Sequence, residues 1–166
     1  MQCREVSGRL RQIVAGAGQV FGVADNDNIY VFYRGSWMSL PGALKHVTVG
    51  PSGVWGITKN NDIYKLVAAN WVQVPGLLKQ VDAGGDQFVA GVNMHDDVFC
   101  LGRDDTVGRD WKKVSGKLVM IEVGTDGNVD RVNTGRDVFC RDGITAKRQE
   151  GIKWTHVSMC GKSKSM

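Results

Sequence analysis

Side chains suited to holding a polar ligand recur in this chain about once in every 34 to 40 residues. Four polar turns carry them: Asp25-Asn26-Asp27-Asn28, Lys59-Asn60-Asn61-Asp62, Asn93-Met94-His95-Asp96-Asp97 and Asn133-Thr134-Gly135-Arg136-Asp137. Carboxylates, amides and an imidazole can bond the polar edge of a small ligand, and an aromatic face can stack on an apolar ring face. On that chemistry Asn61, Asp62, His95, Asp96 and Asp97 are the candidate polar contacts and Trp55 the candidate stacking platform. The structural alternative is that Asp62, Asp97 and Asp137 cap tight hairpins. Trp55 likewise has a core alternative, since the other repeats place Phe21, Val89 or Val129 on the same second strand.

Other chemistries find little support. Asp25-x-Asp27 hints at a calcium loop, but the remaining oxygen-donor spacing and the distal Glu are missing, so no metal and no cofactor is expected. There is no Gly-x-Ser-x-Gly, no phosphate-binding Gly-Lys loop and no His-Glu-x-x-His. Gly16-Ala17-Gly18 lacks the helix that dinucleotide binding needs. Asp96-Asp97 and Asp104-Asp105 point in different directions on a strand or loop and make a poor acid/base pair. The expectation is a binding protein and not an enzyme.

The elements that position these turns follow from a repeat. Val6-Ser7-Gly8-Arg9-Leu10, Leu40-Pro41-Gly42-Ala43-Leu44, Val74-Pro75-Gly76-Leu77-Leu78 and Val114-Ser115-Gly116-Lys117-Leu118 say nearly the same thing. Six residues after each Leu stands a Gly: Gly16, Gly50, Gly84 and Gly124. Trp37, Trp71 and Trp111 introduce three of the four, and Trp154 opens a copy that soon stops. Such a period marks a repeat architecture. Within the second copy, Val47-Thr48-Val49, Val54-Trp55-Gly56-Ile57, Ile63-Tyr64-Lys65-Leu66 and Trp71-Val72-Gln73-Val74 alternate apolar and polar, the period of strands. Each repeat is therefore one four-stranded blade of an all-β propeller. The repeats run over about 8–41, 42–75, 76–115 and 116–158, in one domain spanning 1–160 with a flexible tail at 161–166. The recurrent Gly is expected where blades crowd the axis. The recurrent Trp is expected between blades, as core.

Composition agrees with one globular unit: 42% of the 166 residues are hydrophobic and charges of both signs are mixed. No apolar run is long enough to span a membrane. The N-terminus has no apolar signal region, so a secreted form would have lost its signal, whereas a native Met1 would place the protein in the cytosol. The excess of positive charge lies after residue 100, where Arg109, Lys112, Lys113, Lys117, Lys147, Arg148 and Lys153 make a mixed, solvated face and not the dense stripe of a nucleic-acid binder. Cys3, Cys100, Cys140 and Cys160 are even in number, but Cys100 and Cys140 share a register in successive blades and should be too far apart to pair.

The frame Trp-x-x-Val-Pro-Gly-x-Leu-Lys, the run Gly76-Leu77-Leu78-Lys79-Gln80-Val81-Asp82-Ala83-Gly84-Gly85-Asp86-Gln87 with Gly91-Val92-Asn93-Met94, and the opening Cys3 resemble the fish-egg lectins of the tectonin β-propeller group. Leu44-Lys45-His46-Val47 and Met120-Ile121-Glu122-Val123 with Thr125-Asp126-Gly127 extend the resemblance over nearly the whole chain. It implies a secreted, non-catalytic, multivalent lectin for N-acetylglucosamine-type sugars and bacterial surface polysaccharide in innate defence. A protein-interaction propeller is the alternative, since such scaffolds also serve as docking rings. The family's rings have six blades and this chain has material for about four. The Trp154 strand and the Cys3–Val6 segment then compete for one edge beside Val138-Phe139-Cys140. The expectation is an open arc that self-associates. Its alternative is a strained four-bladed ring with Cys3 near Cys140 or Cys160.

Overall fold

Alternating side chains commit each short run to two faces, and in a propeller both faces meet a neighbouring blade. The computed structural model of the protein describes residues 5–85, 88–102, 105, 108–125, 128–145, 148 and 151–157. Cys3, Cys160, Lys147, Asp86, Gln87, Asp104, Asp126, Gly127 and the tail at 161–166 lie outside them. The described residues form sixteen strands and no helix, hence no helix long and apolar enough to cross a membrane.

Four antiparallel four-stranded sheets follow one another as blades. The first holds β1 (Gln12–Gly16), β2 (Gln19–Val23), β3 (Asn28–Tyr33) and β4 (Ser36–Ala43). The second holds β5 (His46–Gly50), β6 (Gly53–Ile57), β7 (Asp62–Val67) and β8 (Asn70–Leu77). The third holds β9 (Gln80–Asp82), β10 (Phe88–Val92), β11 (Asp97–Gly102) and β12 (Lys112–Lys117). The fourth holds β13 (Met120–Val123), β14 (Val129–Val132), β15 (Val138–Asp142) and β16 (Lys153–His156). The fold is a four-bladed β-propeller whose first strands β1, β5, β9 and β13 line the axis, each packed on the next.

The axial strands approach so closely that side chains are excluded at one level. A Cβ added at Gly16, Gly50 or Gly84 would overlap the carbonyl oxygen of Val49, Ala83 or Val123 on the next blade. Close backbone approach explains these glycines without any need for positive φ. Beside them, side chains strap one axial strand to the next. Gln12 bonds both the N–H (3.0 Å) and the carbonyl (2.9 Å) of Val47. Gln80 does the same to Ile121, at 2.9 and 2.7 Å. His46 Nε2 reaches the Val81 carbonyl at 2.8 Å. One level along, buried Thr48 donates to Asp82 Oδ1 (2.6 Å), whose Oδ2 accepts the Val123 N–H (2.6 Å). A sequence scan reads His46, Thr48 and Asp82 as ordinary strand residues; their partners are 34 to 41 residues away.

The outer strands use a second lock. Three pairs, β3–β4, β7–β8 and β11–β12, slip register at the same place, opposite Pro41-Gly42, Pro75-Gly76 and Ser115-Gly116. Gly42, Gly76 and Gly116 take φ of +97°, +110° and +117° there, a conformation a side chain would resist. The indoles of Trp71, Trp111 and Trp154 lie against those glycines. Trp111 Nε1 donates to the Pro75 carbonyl (3.0 Å) and Trp154 Nε1 to that of Ser115 (2.7 Å). The recurrent tryptophans thus sit between blades as expected, but half-buried near the rim and not deep in the core.

Among the described residues the apolar core falls into three clusters, one per junction of consecutive blades. A closed ring of four would have four. Ile13 is 61% exposed, where its equivalents Val47, Val81 and Ile121 are buried. The propeller is an open arc. β16 pairs with β15 and takes the contested edge, while residues 5–10 form no strand and Gly8 lies against Trp37 of the first blade. Neither Cys100 nor Cys140 is in a disulfide. The Cys140 thiol donates to Asp130 (2.7 Å), and that bond pushes it up to about 11, which suppresses the reactive thiolate.

Three outcomes follow for stability. Gly50→Ala must force two axial strands apart and should cost about 3 kcal/mol or more in chemical denaturation. Trp71→Ala should cost about 2–3 kcal/mol, less than the ~3–5 kcal/mol of a fully buried indole such as Trp55; an unchanged midpoint would refute the lock. Glu122, on the side of the axis where no further blade covers it, is pushed up to about 7 by lost hydration and then by Asp82. A raised carboxyl favours the fold in its protonated form. That contribution is complete below pH ~4.5 and is lost as pH rises through about 7. The melting temperature should therefore fall between pH 5 and 8, and Glu122→Gln should flatten the profile.

Candidate functional site

The polar turns singled out by composition all sit at one end of the blades, between each second and third strand. Each is a tight turn with a left-handed residue: Asp27, Asn61, Asp96 and Arg136, at φ of +65°, +71°, +64° and +66°. The N–H groups of these turns are capped by Asn or Thr side chains early in the turn or just before it. Asn93 Oδ1 accepts the N–H groups of His95 and Asp97, Asn133 Oδ1 that of Asp137, and Thr58 Oγ1 that of Asp62. A basic residue entering each axial strand grips the left-handed residue: Arg11 on Asp27 (2.9 Å), Lys45 on Asn61 and Lys79 on Asp96. Arg11 thus occupies the carboxylate that suggested calcium. The fourth blade has Val119 at that place.

Two of these turns flank one groove. It has a volume of ≈ 350 Å³ and opens at the junction of the second and third blades. Its floor is Phe99 and Trp111, its walls Ile63, Leu77, Leu78 and Met94, with Gly76 beneath and Asn93 at the edge. Leu77 and Met94 are exposed. Asn61 accepts the Leu78 N–H (3.0 Å) and Asp62 pairs with Leu77, so the second blade's turn borders one wall. The third blade's turn supplies the other. A cleft of this size with an aromatic lining and an amide at its edge suits a flat apolar face that carries polar groups around it.

Asn61, Asp62, His95 and Asp96 stand on the two turns beside this groove but are not among the residues that line it, and the carboxylates are engaged elsewhere. Asp96 is paired with Lys79. Asp97 is held within its own blade by Lys117 (2.8 Å) and Lys113 (3.0 Å) of the neighbouring β12, and these two hydrogen-bonded ammonium groups lower its carboxyl to about 2. Lys117 also donates to the His95 carbonyl (2.8 Å). These pairs also draw two of the cations of the supposed basic face into local contacts. Trp55 is not a platform: it is 1% exposed, and its Nε1 donates to the Ser52 carbonyl (3.1 Å). Its ring meets Trp111 edge-on with centroids 6.3 Å apart, so the buried indole props the half-buried one. Phe99, Trp111 and Met94 were missed as site residues. The one available signal was Gly91 directly opposite Phe99, a gap in the strand that leaves an aromatic face bare.

Comparison with known proteins agrees with this architecture. The Tectonin domain family profile matches residues 9–108 and again 101–166. The fish-egg lectin of Cyprinus carpio is 62% identical over 104 residues, covering 63% of this chain and 44% of that protein, so the match spans less than half the relative's length. Among solved structures, human WBSCR16 superposes with a TM-score of 0.68 at 12% identity, over 97% of this chain and 56% of that one. The WD40 β-propeller domain of Doa1 gives 0.65 at 10% identity, over 89% of this chain and 53% of that one. At such identities these two show the fold alone, and four blades match about half of a propeller. With the family profile covering nearly all of it, the chain belongs to the tectonin family.

Proposed function

We propose that this protein is a non-catalytic lectin that binds N-acetylglucosamine-type sugars of microbial surface polysaccharide, outside the cell, as part of innate defence. The observation that carries the reading is the groove between the second and third blades. Phe99 and Trp111 supply the stacking surface and Asn93 a polar group at its edge, with the turns that carry Asn61, Asp62, His95 and Asp96 on either side. The similarity to a protein named fish-egg lectin supports it. One shallow site of this kind binds at about millimolar strength, ~−4 kcal/mol. Surface binding then depends on several sites acting together, which raises avidity by ~10²–10⁴.

Chitin-oligomer beads should retain the protein from dilute solution and release it to free N-acetylglucosamine. Trp111→Ala should weaken retention about tenfold, ~1.4 kcal/mol, while keeping a cooperative melt. Absence of retention, or release indifferent to the free sugar, would remove the sugar reading.

A second reading concerns self-association. The free face of the first blade carries Ile13, 61% exposed, with Val20, Phe32 and Trp37 half-buried along it. Equivalent faces of later blades are packed, so this one suits another blade, including one from a second molecule. Light scattering should show a mass that rises with concentration, and Ile13→Asp should abolish the rise. A strictly monomeric wild type would end this reading and leave the first intact.

A further inference from the structure

One strand position differs between the last blade and the other three. On the second strand stand Gly22, Gly56 and Gly91, each directly opposite an aromatic of the third strand, Tyr30, Tyr64 and Phe99. In the fourth blade the glycine is replaced by Arg131, opposite Phe139. Arg131 is 9% exposed. Its guanidinium lies 4.2 Å from the Phe139 centroid and 4.0 Å from that of Trp154, and it reaches the space above Gly116. Gly116, Phe139 and Trp154 are the register equivalents of Gly76, Phe99 and Trp111, which line the open groove one junction earlier.

The two junctions therefore show one site in two states. At the earlier junction Gly91 sends no side chain past Phe99, and the cleft there measures ≈ 350 Å³. Where Arg131 stands, its guanidinium fills the space between Phe139, Trp154 and Gly116. The plug is held by its two aromatic faces: Nε makes no hydrogen bond, and lost hydration, with Arg141 nearby, lowers the guanidinium to about 10. A cation flat against two rings meets the same electron-rich surfaces that the polarised C–H face of a pyranose would meet.

We propose that this strand position sets which junctions carry an open site, and that Arg131 is an intramolecular plug occupying the ligand's place between the third and fourth blades. The valence of the arc is thereby lower than its number of junctions. The identity of the ligand rests on the sugar reading above; the plug does not.

Arg131→Gly tests it, with Arg131→Met as the control that keeps the space filled without the charge. The neutral apolar dye Nile red counts open grooves whatever the natural ligand. Arg131→Gly should bind one more dye molecule than wild type, and Arg131→Met the same number as wild type. On chitin-oligomer beads the added site should raise apparent affinity at least roughly tenfold. If the dye count rises but no variant is retained by the beads, the plug stands and the sugar reading falls. Should Arg131→Gly melt cooperatively with an unchanged dye count, the plug is refuted. Should Arg131→Gly not fold, wild type decides by oxidative footprinting with saturating dye. Protection of Trp111 without protection of Trp154 supports the plug, and equal protection of both overturns it.

Discussion

Everything in this arc hangs on how near one axial strand comes to the next. At Gly16, Gly50 and Gly84 the neighbouring carbonyl stands where a Cβ would be, so the blades meet backbone to backbone. At that distance strand edges cannot form a continuous ladder, because each axial strand already gives one edge to its own blade. The lateral polar groups must be satisfied another way. Gln12, His46, Gln80 and the Thr48–Asp82 pair do so, each reaching across the junction. The glycines set the spacing, and the straps make that spacing tolerable.

The same wedge explains the site. Blades held together at the axis diverge toward the rim, and the gap must be filled or left open. The Pro-Gly bulge and the next blade's indole fill most of it, since a bare left-handed glycine leaves room for a flat ring. What remains between bulge, indole and third-strand aromatic is a cleft whose volume depends on one second-strand side chain. Trp55 beneath, and the lysine pairs on Asp96 and Asp97 beside it, hold the walls and the rim in place. The groove is a consequence of propeller geometry, and its chemistry comes from the residues that happen to line it.

Unequal ends follow from the same rule. A blade in the middle of the arc buries both faces, whereas the first and last bury one each, as the exposure of Ile13 shows against Val47, Val81 and Ile121. The last blade departs most from the pattern. Asp130 and Cys140 stand where the third has Ala90 and buried Cys100, and Arg131 and Arg141 crowd Trp154.

Four strands to a blade and the four turns were legible in the sequence because they depend on local facts: alternation of apolar residues, turn chemistry and a repeated frame. The locations of the axial glycines and of the recurrent Trp were legible for the same reason, since a residue that recurs at one register does one job. The site was legible only in part. Asn61, Asp62, His95 and Asp96 could be placed on their turns because turns announce themselves. Trp55, open to a platform or a core reading, is core, a choice left to the structure because exposure belongs to the packing of two blades and not to either strand alone. Tertiary structure alone decided that Trp111 and Phe99 form the floor, that Asp97 turns away to two lysines, and that Arg131 closes one junction while Gly91 leaves another open. Each of these sets side chains from separate strands or blades against one another. No spacing within a single strand encodes such a meeting; it exists only once the wedge angle brings the blades together.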